Sequence, residues 1–149
     1  MNKPFLQKAA GFCAYQERTQ KEVRDRLAEW GIWGDEAEEM IVWLIENNYL
    51  NEERFSKAFA GGKFRMNNWG KIRIKQEMRY KGLTENCIKI GLAEISNSDY
   101  LEAIRKMIIK KADKTDTENP FLRKHKLARY IIGKGFEQDI VWQLLEETE

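Results

Sequence analysis

The feature that most constrains the fold is internal repetition. Sliding the chain along itself by 51 residues superposes Val23, Leu27, Gly31, Ile32, Ala37, Ile41 and Leu44 on Ile74, Met78, Gly82, Leu83, Ile88, Leu92 and Ile95. A further shift of 53 places Ile74, Met78, Gly82, Leu83, Ile88 and Leu92 on Leu127, Ile131, Gly135, Phe136, Val141 and Leu145. In each copy apolar residues recur at the helical period, a glycine ends the run, an apolar residue follows it directly, and a second short helical run begins. Glycine suits that place because a helix end commonly needs one residue in the left-handed region. A longer helix precedes each pair, over Pro4 to Gln16, Glu52 to Met66 and Asp99 to Lys111. The expectation is an all-α chain of about nine helices, in three-helix repeats spanning 1–50, 51–96 (the basic one) and 97–149. Units of about 50 residues are marginal alone, so an elongated or curved stack that shares buried surface is expected.

Local signals agree. Thr19 and Glu22 form a Thr-x-x-Glu capping box, in which hydroxyl and carboxylate each satisfy one orphan backbone amide. Asn51, Asn68 and Thr84 read as N-caps, Asn119 precedes Pro120 at a first-turn position, and Ala112 to Glu118 reads as a polar connector. Strand signals are poor: alternating runs are few, and neither Asn-Gly nor Asp-Gly separates two apolar runs. Five Trp, five Tyr and seven Phe within a 42% hydrophobic composition are enough for a packed interior. Trp30, Trp33, Trp43 and Trp142 lie at or beside repeat core positions and are assigned to packing. The longest unbroken apolar stretch, Met40 to Ile45, has six residues, against the roughly 20 of a membrane helix. The start, Met1-Asn2-Lys3-Pro4, shows no signal-peptide pattern, and Cys13 and Cys87 fit neither a disulfide framework nor a metal spacing. A reducing cytoplasm is the expected location.

Charge is unevenly distributed. Residues 1–53 carry 6 basic and 11 acidic side chains, residues 54–81 carry 9 and 1, and residues 82–149 carry 11 and 12, which together give the net charge of +2. A nearly neutral chain therefore holds a basic central block of +8, and such blocks bear on association rather than on fold. The block comprises Arg54, Lys57, Lys63, Arg65, Lys71, Arg73, Lys75, Arg79 and Lys81. On an ideal helix, at 100° per residue, Arg54, Lys57 and Arg65 fall within about 80° of one another with Gly61 among them, while Phe55, Phe59 and Met66 form a core face about 100° away. Lys71, Lys75 and Arg79 stand at i, i+4 and i+8 on the next helix. Like charges at that spacing repel, so a stripe without acidic partners suits an anionic partner better than a merely solvated face. Trp69 lies within the block and reads as packing, with stacking on a base or partner side chain as the alternative.

Catalytic chemistry has little to stand on. His125 is the only histidine, no motif ties a serine or cysteine to it, and it reads as a solvated helix residue. Gly61-Gly62-Lys63 and Gly133-Lys134-Gly135 lack the flanking pattern of a phosphate-binding loop. Asp35, Glu36, Glu38 and Glu39 open a helix, where the helix dipole favours negative charge. No enzyme activity, cofactor or metal is expected.

Several blocks resemble one family. Arg18-Thr19-Gln20-Lys21-Glu22-Val23 with Leu27 is similar to the opening Arg-x-Ser-x-x-Glu-Leu-x-x-x-Leu of the RecX regulators. Tyr49-Leu50-Asn51-Glu52-Glu53-Arg54-Phe55 resembles their Tyr-Leu-Asp-Asp-x-Arg-Phe, and Trp69-Gly70 with Ile74, Met78, Lys81-Gly82 and Leu83 resembles Gly-x-x-x-Ile-x-x-x-Leu-x-x-Lys-Gly-Ile. The likeness runs from about residue 10 to residue 147; Asn51-Glu52 stands for the usual Asp pair and Ser56 for a usual Ala. The resemblance implies a non-enzymatic monomer that binds along the deep groove of the RecA recombinase filament on DNA and reduces ATP hydrolysis and strand exchange in recombinational repair and the SOS response. Two alternatives stay open: a helical module that binds nucleic acid directly, and a protein–protein scaffold.

Overall fold

Nine α-helices occur among the described residues, 2–115 and 119–147, of the computed structural model. In chain order they are α1 (Lys3–Tyr15), α2 (Gln20–Glu29), α3 (Gly34–Glu46), α4 (Glu52–Asn67), α5 (Lys71–Tyr80), α6 (Glu85–Leu92), α7 (Asn97–Ala112), α8 (Pro120–Gly133) and α9 (Gln138–Glu147). No strand is found among the described residues, so the all-α expectation holds. Part of the expected connector, residues 116–118, lies outside the described residues, as does Met1.

The repeated glycines explain the periodic architecture. Gly31, Gly82 and Gly135 all have positive φ, at +81°, +81° and +99°. At the first two the next amide turns back into the helix: Ile32 N–H donates to the Leu27 carbonyl at 2.9 Å and Leu83 N–H to the Met78 carbonyl at 3.2 Å. This satisfies carbonyls that a helix end leaves without partners and swings an apolar residue into the core. The helix before each glycine buries the expected pair: Val23 and Leu27, Ile74 and Met78, Leu127 and Ile131 are all 3% exposed or less. Each such side chain contributes about 1.5–3 kcal/mol by leaving water. The Thr19–Glu22 capping box is formed in both directions, with Thr19 fully buried, and Asn51, Thr84 and Asn119 cap their helices.

By contacts the chain divides into two units, residues 1–59 with 78–91 and residues 60–77 with 92–149. In the first, α2 packs on α1 and on α3; in the second, α7, α8 and α9 pack on one another. The first core gathers Leu6, Ala9, Cys13, Val23, Leu27 and Leu44, with Phe5 and Trp30 stacked at 5.6 Å on its margin. Ser56, where the family pattern has alanine, is also buried and gives its hydroxyl proton to the Glu52 carbonyl one turn back, at 2.7 Å. Gly91 is buried against it: a Cβ at Gly91 would lie 2.6 Å from the Ser56 carbonyl oxygen.

Three expectations need correction. Asn68 does not cap α5. It closes α4 in the left-handed region at φ +55°, and the first α5 amides find other acceptors: Lys71 N–H the Tyr100 hydroxyl at 2.9 Å and Ile72 N–H the Gly135 carbonyl at 3.0 Å. Met66 is 83% exposed, because α4 turns Phe55, Ala60, Gly61 and Phe64 inward instead. Trp33 is 69% exposed, standing at the extended N-cap of α3 rather than within its buried stripe.

Candidate functional site

In the second unit, α5 and the loop before it gather cations on aromatic rings. The Trp69 ring has the Arg73 guanidinium 4.2 Å and the Lys63 ammonium 4.9 Å from its centroid. A tryptophan face attracts cations through its quadrupole, which holds both side chains near one place despite their mutual repulsion. The ring thus serves the protein's own cations. Next to it, the Lys71 ammonium sits 4.6 Å from the ring centre of Tyr100.

Tyr100, at the start of α7, is 1% exposed and joins three elements. Its hydroxyl donates to the Glu137 carboxylate and accepts the Lys71 backbone N–H, and its ring packs on Phe136 at 5.1 Å and Phe64 at 5.7 Å. Burial and the Glu137 acceptor push the phenol far above its ordinary range, so it stays protonated and locks the first turn of α5. Nothing in the repeat pattern points to this node, because its register aligns the paired helices and leaves the first helix of each repeat unaligned. Lys75, one turn beyond Lys71, is half-buried. Arg65 is exposed, and its guanidinium folds back over Gly61, which is buried rather than part of an open cationic face.

In the first unit the basic residues are more strongly engaged. Arg54 pairs with Glu17 and donates to the Asn48 carbonyl at 3.0 Å, so it holds the α3–α4 turn. Arg79 makes a two-pronged pair with Glu85, at 2.7 and 3.2 Å, so this stripe is not without acidic partners as expected. The Lys81 ammonium lies 5.5 Å from the Phe59 ring centre and 5.9 Å from that of Phe55, and Lys57 is exposed. The spacing i, i+4, i+8 correctly put Lys71, Lys75 and Arg79 on one helix, yet it could not reveal Glu85, which reaches Arg79 from beyond the Gly82 turn.

The catalytic candidates have structural surroundings. His125 is exposed, as expected, with its ring 4.3 Å from Phe121 and 4.9 Å from Trp142 between centroids. Gly61 and Gly62 are helical and Gly135 is a helix-ending residue, so neither glycine motif forms a phosphate loop. Asp35 and Glu36 occupy the first turn of α3, while Glu38 pairs with Arg24 at 2.8 Å, which holds its carboxyl below the usual range. Among the described residues no group of three or more potential metal ligands is found, and no helix is long and apolar enough to cross a membrane.

Three patterns match in order along the chain: the RecX first three-helix domain over residues 6–44, the second over 51–92 and the third over 98–145. The regulatory protein RecX of Clostridium perfringens is 31% identical over 82% of this chain, and that of Clostridium acetobutylicum is 28% identical over 94%. The alignments cover 58% and 66% of those relatives, so the chain spans roughly three-fifths of their length. Among solved structures, RecX from Lactobacillus salivarius has the same fold, with a TM-score of 0.88 at 24% identity over 95% of this chain and 92% of that one.

Proposed function

Since this chain belongs to the RecX family of regulatory proteins, we propose that it binds the RecA nucleoprotein filament and lowers its ATP hydrolysis and strand exchange. The observation that carries this function is the cation cluster of the second unit, where Lys63 and Arg73 are held on Trp69 and Lys71 on Tyr100. Aromatic and hydrogen-bonded supports fix where these charges stand, and a preorganised cationic face loses less entropy on meeting an anionic groove than free side chains would.

The mechanism is steric and electrostatic rather than catalytic. The repeats 1–50, 51–96 and 97–149 act as modules, one protein monomer lies along the filament in the cytoplasm, and the basic block meets nucleoprotein. Within the block Lys63, Arg65, Lys71, Arg73 and Lys75 are the contact set; Arg54, Arg79 and Lys81 serve mainly to hold the fold, and Lys57 stands at the edge. The test is a pull-down with the host recombinase, with and without single-stranded DNA. Retention on the DNA-bound filament supports the proposal. Tight binding to naked DNA alone points to the direct nucleic-acid module, and binding to neither refutes both.

A further inference from the structure

Beside the cluster on α5, but outside it, α7 ends in a second concentration of cations that the filament proposal leaves unused. A cavity of about 190 Å³ is lined by Asn68, Met107, Lys110, Lys111, Lys114 and Tyr130. It shares Asn68, Met107 and Lys110 with a larger one of about 500 Å³, whose wall includes Arg65 and Lys106 but also the carboxylates Asp99 and Glu102. Positive charge therefore concentrates in the smaller cavity, away from the acidic start of α7.

We infer that the smaller cavity is a binding site for a short run of phosphoryl groups. Among the described residues, every polar side chain lining it can donate a hydrogen bond: three ammonium groups, the Asn68 amide and the Tyr130 phenol. A donor-rich pocket of this kind suits a ligand made of acceptor oxygens, and a phosphoryl group offers three with a charge near −1.5 to −2. Lysine ammonium groups can serve phosphate oxygens as compact point charges. Three lysines around one small cavity exceed the charge of one phosphoryl group, so two or three in a chain match them better.

A merely solvated face explains less. Lys110 and Lys111 lie in the last turn of α7, where the helix dipole favours them, but Lys114 lies beyond the helix end. Lys106, Lys110, Lys111 and Lys114 have no carboxylate partner among the described residues. The Lys111 ammonium is instead placed 4.4 Å from the Tyr130 ring centre, with Lys134 at 5.9 Å from the same ring. Asn68, released from the capping role that its position suggested, is held at φ +55° with its side chain on the cavity wall.

The chemistry is shared by a soluble oligophosphate and by a nucleic-acid strand, and the test separates them. The chain is titrated calorimetrically with sodium tripolyphosphate and with metal-free ATP, and by anisotropy with a fluorescent oligothymidylate. Lys110→Gln/Lys111→Gln/Lys114→Gln should keep its thermal unfolding and lose about tenfold or more in affinity for whichever probe binds, because several charge-assisted hydrogen bonds go. Asn68→Gly keeps a residue suited to positive φ while removing the amide, and should weaken the same probe several-fold without unfolding. Tripolyphosphate or ATP binding more tightly than oligothymidylate at equal phosphate concentration identifies a soluble ligand; the reverse identifies a strand. The inference is independent of the filament proposal. Lys71→Gln/Lys75→Gln, run in parallel, should lose filament binding while still binding tripolyphosphate if that is the bound probe. Failure of all three probes to bind the unaltered chain, or unchanged affinity in the folded triple variant, overturns the site.

Discussion

Gly70 and Gly135 meet backbone to backbone. The Gly70 amide donates to the Lys134 carbonyl at 2.9 Å, Ile72 N–H takes the Gly135 carbonyl at 3.0 Å, and a Cβ on Gly70 would fall inside the Gly135 peptide. The entry to α5 is thereby tied to the exit of α8, and the Lys71 and Arg73 side chains start from a fixed point.

Gly70→Ala should destabilise the chain by at least about 1–3 kcal/mol, the cost of forcing extra volume into a packed site, because backbone atoms rather than a flexible side chain must give way. Gly31→Ala makes the contrast. Gly31 has φ +81° but open space around its Cβ position, so only the left-handed penalty of about 1–2 kcal/mol applies. Urea unfolding of both variants checks this, and an equal or smaller loss for Gly70→Ala would contradict the close approach.

Tyr100→Phe removes one hydroxyl and strands two partners, the Lys71 amide and the Glu137 carboxylate. Leaving a buried polar group without a partner costs about 1–3 kcal/mol, so the midpoint of urea unfolding should fall accordingly. Unchanged stability would show that water replaces the hydroxyl.

The two thiols should differ. Cys13 is buried and its pKa is raised by burial from 9.0 to about 11, while Cys87 is half-exposed. At pH 8 a thiol reagent should modify Cys87 rapidly and Cys13 only when the chain opens. The sign of the pH effect follows from the raised value: the neutral thiol is favoured in the fold, so its contribution is complete below pH 9 and is lost as pH rises through about 11. Comparing alkaline stability with Cys13→Ala isolates that contribution; two equally fast thiols at pH 8 would contradict the burial.

How much of this was legible in the sequence depends on range. The glycines at 31, 82 and 135 and the apolar residues after them are written locally, since a helix end that turns through the left-handed region favours glycine there whatever lies around it. The roles of Asn68 and Met66 are not legible locally, because the acceptors of the α5 amides and the inward face of α4 are set by residues distant in sequence, Tyr100 and Gly135 among them. Within the basic block, charge count and helix register were visible. Its sorting into Arg54 and Arg79, bound to Glu17 and Glu85, and Lys63 and Arg73, collected on Trp69, depends on partners that only the fold supplies. Trp33 shows the same limit, since adjacency to a core position does not decide which way a helix-capping residue faces.

The central claim is that the cations around Trp69 and Tyr100 engage the recombinase filament, and ATP hydrolysis by RecA on single-stranded DNA tests it most directly. Titrating the unaltered chain should lower the rate in a saturable way. Lys71→Gln/Arg73→Gln/Lys75→Gln keeps residues with good helix propensity, so the fold should persist by thermal unfolding. If these groups contact phosphates, removing three should lower the salt slope of log affinity by about 2–3 and shift the inhibition curve to much higher protein concentration. A folded triple variant that inhibits as strongly as the unaltered chain at every salt concentration would contradict the claim.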